Sequence, residues 1–275
     1  MIHASATDVR FAEVAWSGHR HQIEYAWVGE ASPQAPVMVF LHEGLGSLEL
    51  WKDFPHRQAC AAGCRGLVLS RWGYGRSSPR PPEVHWPVDF MHRQARNFLP
   101  AFFAAIGLDT QSTPPWLFGH SDGASIALLF ASAYPDRVAG VIAAAPHIFV
   151  EDITVASIEV ARQAYLTTDL RGKLARYHAD PDSAFWGWNR VWLDPAFKAW
   201  NLECEIARVR CPLLAVQGRD DEYGTLAQID TIARLAPQTR LLKLERCGHS
   251  PHRDQPEALI QAVADFLSAA RHPAG

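Results

Sequence analysis

Five residues, Gly119-His120-Ser121-Asp122-Gly123, constrain this chain more than any other feature. They stand between a short apolar run at 116–119 and a stretch of small residues from 121 to about 134. The pattern G-x-S-x-G at a strand-to-helix junction holds its central residue on a strained turn. That turn can form only if the neighbours two positions away lack bulk, which is why glycine stands at 119 and 123. A strand that feeds directly into a helix implies a sheet covered by helices. The turn lifts the Ser121 hydroxyl above the sheet edge, so Ser121 is the candidate nucleophile.

The rest of the chain repeats that alternation. Residues 10–16 and 22–28 read as an antiparallel pair. Apolar runs at 37–41, 66–70, 138–145, 213–217 and 241–244 read as buried strands separated by helical patterns, which predicts an α/β fold with a mostly parallel sheet. Residues 87–106 read as one helix, with Ala95, Phe98, Leu99, Phe102, Phe103 and Ile106 on one face, Pro87 in its first turn and a kink at Pro100. A last helix carries Leu259, Ile260, Val263, Phe266 and Leu267, with Asp254 and Glu257 as its expected cap pair. One segment departs from the pattern. Residues 147–207 contain no clear strand, yet they hold nine of the chain's 29 aromatics, six of them between 185 and 200. This segment reads as a helical insertion, the lid, in a core formed by residues 1–146 and 208–275. Trp186, Trp188 and Trp192 are candidate walls of an apolar pocket, with His147 at its entrance to the insertion.

A serine hydroxyl needs a base, and the base needs an orienting carboxylate. Among 13 histidines, His249 is the candidate because it follows the 241–244 strand in the loop Cys247-Gly248-His249-Ser250-Pro251, and sites in such sheets form at strand C-terminal ends. His120 reads as packed beside the nucleophile, and His252 as part of the next turn. The 213–217 strand is followed by Gly218-Arg219-Asp220-Asp221-Glu222, in which any of three carboxylates is placed to be the acid. The oxyanion donors are expected to be the N–H of Asp122 and, from the loop His42-Glu43-Gly44-Leu45-Gly46-Ser47, the N–H of Gly44. Glu43 is out of place beside a developing negative charge. It must point away, pair with a cation or read a substrate group.

Taken together these residues resemble the α/β-hydrolase superfamily, in its lidded serine hydrolase and esterase branch. The resemblance rests on HEGLGS at 42–47, RWGYGRS at 71–77, GHSDG at 119–123, GRDD at 218–221 and GHSPH at 248–252. It implies an eight-stranded, mostly parallel sheet flanked by helices, a helical cap after the sixth strand, and a triad of Ser121, Asp221 and His249. Asp221 is preferred because its G-x-x-D spacing is the family's. Two positions depart from the pattern: Glu43 stands where the family has glycine, and Ser70 where it has Asp. Serine at 121 argues against the haloalkane dehalogenase and epoxide hydrolase branches, which carry Asp there.

The expected activity is that of a serine carboxylesterase acting on an ester with an apolar or aromatic group through an acyl-enzyme. A thioesterase, a carbon–carbon bond hydrolase, an amino-terminal peptidase, a perhydrolase and a non-catalytic small-molecule receptor are the alternatives. A formal charge of −3 gives no basic face for nucleic acid or anionic membrane, and no apolar run reaches the roughly 18 residues of a spanning helix. Residues 1–10 carry no secretory apolar stretch, so a cytoplasmic monomer or homodimer is expected. The five cysteines are odd in number and lack zinc-ligand spacing, so neither disulfides, metal nor cofactor is expected.

Overall fold

Strand β5 (Trp116–His120) sits at the middle of the molecule, and every one of its five residues is buried. A computed structural model describes residues 8–271. In it eight strands form one sheet in the order β1-β2-β4-β3-β5-β6-β7-β8. The other strands are β1 (Val9–Trp16), β2 (His19–Val28), β3 (Val37–Leu41), β4 (Arg65–Leu69), β6 (Gly140–Ala144), β7 (Leu213–Gly218) and β8 (Thr239–Leu244). The β1/β2 and β2/β4 pairs are antiparallel and the remaining five are parallel.

The apolar runs are uninterrupted because the inner strands are covered on both faces. On β3, Val39 and Leu41 face one core while Met38 and Phe40 face the other. On β7, Leu213 and Ala215 divide from Leu214 and Val216 in the same way. The first core is closed by the 90–105 segment and by the helix Asp122–Ala133. The second is closed by the helices Phe54–Ala61 and Pro256–Arg271.

Two helical expectations need correction. The 87–106 helix is three pieces: Phe90–Arg93, a π-helical turn Gln94–Phe98, and Leu99–Ala105. Pro100 has no N–H to offer Arg96, and the freed Arg96 carbonyl accepts the Tyr134 hydroxyl at 2.6 Å instead. The last helix starts at Pro256, after a separate turn Pro251–Asp254. Asp254 and Glu257 do not cap it together: Asp254 accepts the Gly248 N–H at 2.8 Å, and Glu257 pairs with Arg57.

Between β6 and β7 the chain forms the helices Asp152–Thr167, Leu170–Leu174, Pro181–Trp192 and Glu203–Ile206. The parallel strands β4, β3, β5, β6, β7 and β8 all run the same way, and the loops after β3, β5, β6, β7 and β8 meet at one cavity that residues of this segment also line. Among the described residues, no helix is long and apolar enough to cross a membrane. The five cysteines are free, and no group of three or more His, Cys, Asp or Glu side chains is placed to hold a metal ion among those residues.

Candidate active site

Ser121 takes φ +53° and ψ −121°, a conformation that side chains rarely adopt. The turn is tight on both sides. A Cβ at Gly119 would lie 2.3 Å from the Gly123 carbonyl oxygen, and one at Gly123 would lie 2.0 Å from the Leu41 carbonyl oxygen. The Ser121 N–H is held by the Ala144 carbonyl at 2.9 Å, which pins the elbow to the end of β6.

The strand ends bring three side chains into line. Ser121 Oγ lies 2.9 Å from His249 Nε2. His249 Nδ1 lies 2.9 and 3.0 Å from the two carboxylate oxygens of Asp221. Nδ1 must donate to that carboxylate, so in the neutral ring Nε2 presents its lone pair to the serine hydroxyl. Asp221 also accepts from Tyr223 N–H at 2.8 Å, Gly224 N–H at 3.2 Å and Gln217 Nε2 at 3.1 Å. Burial by itself would raise its pKa. The His249 hydrogen bond and charge, with the Tyr223 N–H, outweigh burial and hold the carboxyl below its ordinary value. Of the two other carboxylates in this loop, Glu222 accepts the backbone N–H of His249 at 3.1 Å, which fixes the histidine loop rather than its ring.

The orientation of Gly44 follows from its neighbours. The Glu43 carbonyl accepts from His42 Nδ1 at 2.7 Å and from the buried Arg71 Nη2 at 2.9 Å. In a trans peptide the C=O and the next N–H point in opposite directions, so the Gly44 N–H faces away from Arg71; Gly44 lines the cavity over Ser121. Asp122, at the first turn of the Asp122–Ala133 helix, lines the same cavity. Among the described residues neither the Gly44 N–H nor the Asp122 N–H has a protein acceptor. His42 serves this arrangement as a neutral ring: its Nε2 accepts the Arg71 N–H at 2.9 Å, and burial, aided by the Arg71 charge, drives its pKa well down.

The Glu43 carboxylate lies beside two basic side chains. It lies 3.4 Å from His120 Nδ1 and 3.7 Å from Arg253. Burial opposes its ionisation, but the His120 hydrogen bond and charge prevail and keep the carboxyl well below the usual range. His120 in turn reaches the His249 carbonyl through Nε2 at 2.6 Å, so Glu43 and His120 together brace the loop that carries His249. Glu151, at the start of the Asp152–Thr167 helix, is bound to Thr225 N–H at 2.9 Å, the Thr225 hydroxyl at 2.6 Å and Gln228 Nε2 at 2.8 Å.

The cavity over Ser121 has a volume of about 120 Å³. Trp188, Trp192, His147 and Glu43 all line it. Trp186 does not, and its assignment to the pocket is corrected. Trp188 and Trp192 are four residues apart and share one face of the Pro181–Trp192 helix, whereas Trp186 lies on the other side with Arg80, His85, Trp86 and Arg190. Trp192 Nε1 donates to the buried Asp122 carboxylate at 3.1 Å. Burial pushes that carboxyl up to about 6, against the opposing Arg71 charge. The sequence reading missed Thr154, Ile158 and Tyr223, which complete the wall. The spacing of Thr154 and Ile158 on one helix face was visible, but nothing in it told which way that face turns.

Comparison with known proteins agrees with this architecture. The alpha/beta hydrolase family model matches residues 38–262. The serine hydrolase BPHL of Homo sapiens is 26% identical, the match covering 96% of this chain and 88% of that protein. A zearalenone hydrolase of Cladophialophora bantiana is 29% identical over a shorter stretch, 41% of this chain and 40% of that enzyme. Among solved structures, the proline iminopeptidase of Mycobacterium smegmatis superposes with a TM-score of 0.74 at 17% identity, over 96% of this chain and 98% of that one. By its family model, its relatives and its fold, the chain belongs to the alpha/beta hydrolase family and is a hydrolase.

Proposed function

We propose that this hydrolase cleaves carboxylic esters through an acyl-enzyme on Ser121. The observation that carries the reading is the hydrogen-bonded line from Asp221 through His249 to Ser121, with two free N–H groups beside its serine end. His249 Nε2 takes the hydroxyl proton as Oγ bonds to the ester carbonyl carbon. The carbonyl oxygen becomes negative and is held by the N–H groups of Asp122 and Gly44. Asp221 stabilises the imidazolium. His249 then protonates the departing alkoxide, the C–O bond breaks and the alcohol leaves. Water, deprotonated by His249, attacks the acyl-enzyme and releases the acid with Ser121 restored.

The cavity sets the scale of the substrate. An engineered cavity of about 150 Å³ holds benzene, so a volume of about 120 Å³ suits a short acyl or small ring group in the closed form. The two tryptophans give it an apolar side, while Glu43 and His147 make the rest polar. Glu43 and Glu151 are both engaged by protein groups, which speaks against the amino-terminal peptidase alternative. The test is turnover of short-chain p-nitrophenyl esters by the wild type and by Ser121→Ala, with a fluorophosphonate probe as a second readout. The reading requires turnover and labelling in the wild type and neither in the variant. A wild type that binds but does not turn over esters or thioesters would make the protein a receptor on this fold.

A further inference from the structure

His147 is a buried side chain whose ring the active-site machinery described above does not use. It follows β6 through Ala145, which holds φ +46°, and Pro146. Only an observed outlier justifies speaking of strain, and Ala145 is one: a conformation suited to glycine is kept at a residue with a Cβ, its N–H tied to the Val216 carbonyl at 2.7 Å. The main chain of His147 is fixed on both sides by Ser125, whose hydroxyl accepts its N–H at 3.2 Å and donates to its carbonyl at 2.5 Å. The backbone therefore presents this ring at one place, against the cavity over Ser121.

The ring is packed but not bonded. It meets Trp192 edge to face at 5.0 Å between centroids, and lies 5.6 Å from the His249 ring. His147 is 2% exposed, and Nδ1 is buried without a partner. Among the described residues Nε2 makes no hydrogen bond either, but unlike Nδ1 it is not fully buried. Burial, reinforced by the neighbouring His249, pushes its pKa down to about 3, so it stays neutral at working pH. A neutral imidazole carries one donor and one acceptor whatever its tautomer. A buried polar group left unpaired costs folding free energy, and a wall of Ile, Leu or Phe would avoid that cost. Asp122 Oδ2, the other unpaired buried atom on this wall, has Arg71 opposite it at 3.9 Å; His147 has no such counterpart.

We infer that His147 is a specificity-determining residue that hydrogen-bonds a hydroxyl or oxo oxygen on the α or β carbon of the acyl group, making short oxygenated acyl esters the substrate class. The inference rests on the ester-hydrolase reading for its chemistry and on the cavity wall for its selectivity. A site built to bond such an oxygen rejects the analogue that lacks it, because the site's own polar group is then left unpaired.

The experiment uses ester pairs that exchange hydroxyl for methyl at constant shape: methyl 3-hydroxybutanoate against methyl 3-methylbutanoate, and methyl lactate against methyl 2-methylpropanoate. Acid release is followed by pH-stat for the wild type, His147→Phe and His147→Asn. The quantity read is the ratio of kcat/KM within each pair, so a general loss in a variant cancels. The wild type should favour the hydroxy member by about tenfold, equivalent to about 1.4 kcal/mol. His147→Phe, which keeps a ring but no nitrogen, should bring the ratio near one, and His147→Asn should restore part of it. Should His147→Phe not fold, His147→Leu replaces it. A wild-type ratio at or below one in both pairs, or a ratio unchanged in the apolar variant, overturns the inference. Calorimetric titration of Ser121→Ala with the same intact esters separates the two readings. Preference in binding that His147→Phe removes, without wild-type turnover, would sink the ester chemistry and leave the subsite standing. Brisk turnover without preference would do the reverse.

Discussion

Replacing Gly44 by alanine tests the oxyanion assignment and the role of the overlying segment at once. A Cβ at position 44 would lie 2.2 Å from both Cδ1 and Nε1 of Trp188. Carbon atoms in contact sit at about 3.5–4.0 Å, so something must move by more than 1 Å. Trp188 is 7% exposed and wedged against Phe185, their ring centroids 6.0 Å apart, within a helix whose other end is tied to Asp122 through Trp192. The loop at 44 is held through the Glu43 carbonyl by His42 and Arg71. With Trp188 held in this way the loop yields, and the Gly44 N–H leaves its place relative to Ser121. Loss of one oxyanion donor costs about 10²- to 10³-fold in kcat, or about 2.7–4 kcal/mol. Gly44→Ala should therefore lower kcat on a p-nitrophenyl ester by that order with KM much less affected. Removing the obstacle should restore it: Gly44→Ala combined with Trp188→Ala should be faster than Gly44→Ala alone, a coupling that a double-mutant cycle measures. Full activity in Gly44→Ala, or no recovery in the double variant, would refute the reasoning.

Three further outcomes follow from particular contacts. Asp221→Asn should lower kcat by about 10⁴-fold with the fold intact, since the amide can hold the wrong tautomer of His249, whereas Asp220→Asn should leave steady-state rates near wild type; equal losses would move the acid to another carboxylate. His147, with a folded pKa near 3 against 6.5 unfolded, contributes stability that is complete above about pH 6.5 and is lost as pH falls toward 3, by up to about 1.4 kcal/mol per pH unit. Urea unfolding of His147→Phe at pH 7, 5 and 4 should show a slope shallower by up to one proton, and an identical slope would contradict the burial of this ring. Native iodoacetamide treatment should alkylate the exposed Cys60 and Cys204 well before Cys64, Cys211 and Cys247, because burial pushes the Cys211 and Cys247 thiols up to about 12; early mass-spectrometric labelling of Cys247 would show that the His249 loop opens.

What was legible in the sequence was local. The inner strands could be read because a strand covered on both faces needs an unbroken apolar run. Ser121 could be read because it sits in a turn whose glycines are forced by backbone contact, and His249 because its loop follows the C-terminal end of a strand. Asp221 could not be separated from Asp220 and Glu222 by chemistry alone, and needed the family's spacing. The errors lie where one residue's role depends on the rotation of a whole helix. Trp186 and Trp188 look alike in a row of aromatics, and only the docking of the Pro181–Trp192 helix turns one over Ser121 and the other toward Arg80. Glu43 was unreadable for a related reason: its partners are 77 and 210 residues further along the chain. The cavity is less apolar than the run of aromatics suggested, because the polar residues His147 and Glu43 line it together with Trp188 and Trp192.

The helical segment between β6 and β7 is tied to the core by hydrogen bonds at several points. Trp192 reaches the residue after the nucleophile. Thr154 and Ser157 donate to the carbonyls of Tyr223 and Glu222, on the loop that carries Asp221, each at 2.5 Å. His178 accepts the Gly75 N–H at 3.0 Å and reaches the Leu45 carbonyl, on the oxyanion loop, at 3.0 Å. Each of the elements that supply the nucleophile, the acid and the Gly44 donor thus carries at least one direct bond to this segment. A segment that swung freely would break these bonds at every opening and leave Asp122 with a buried carboxylate and no donor, at a cost of about 1–3 kcal/mol for that group alone. Substrate entry must then proceed either past a segment that largely stays in place, or by an opening that disorders the donors and the acid together. In the second case the site is assembled only when it is closed, so that water is excluded at the moment when the oxyanion contacts are formed and are strongest.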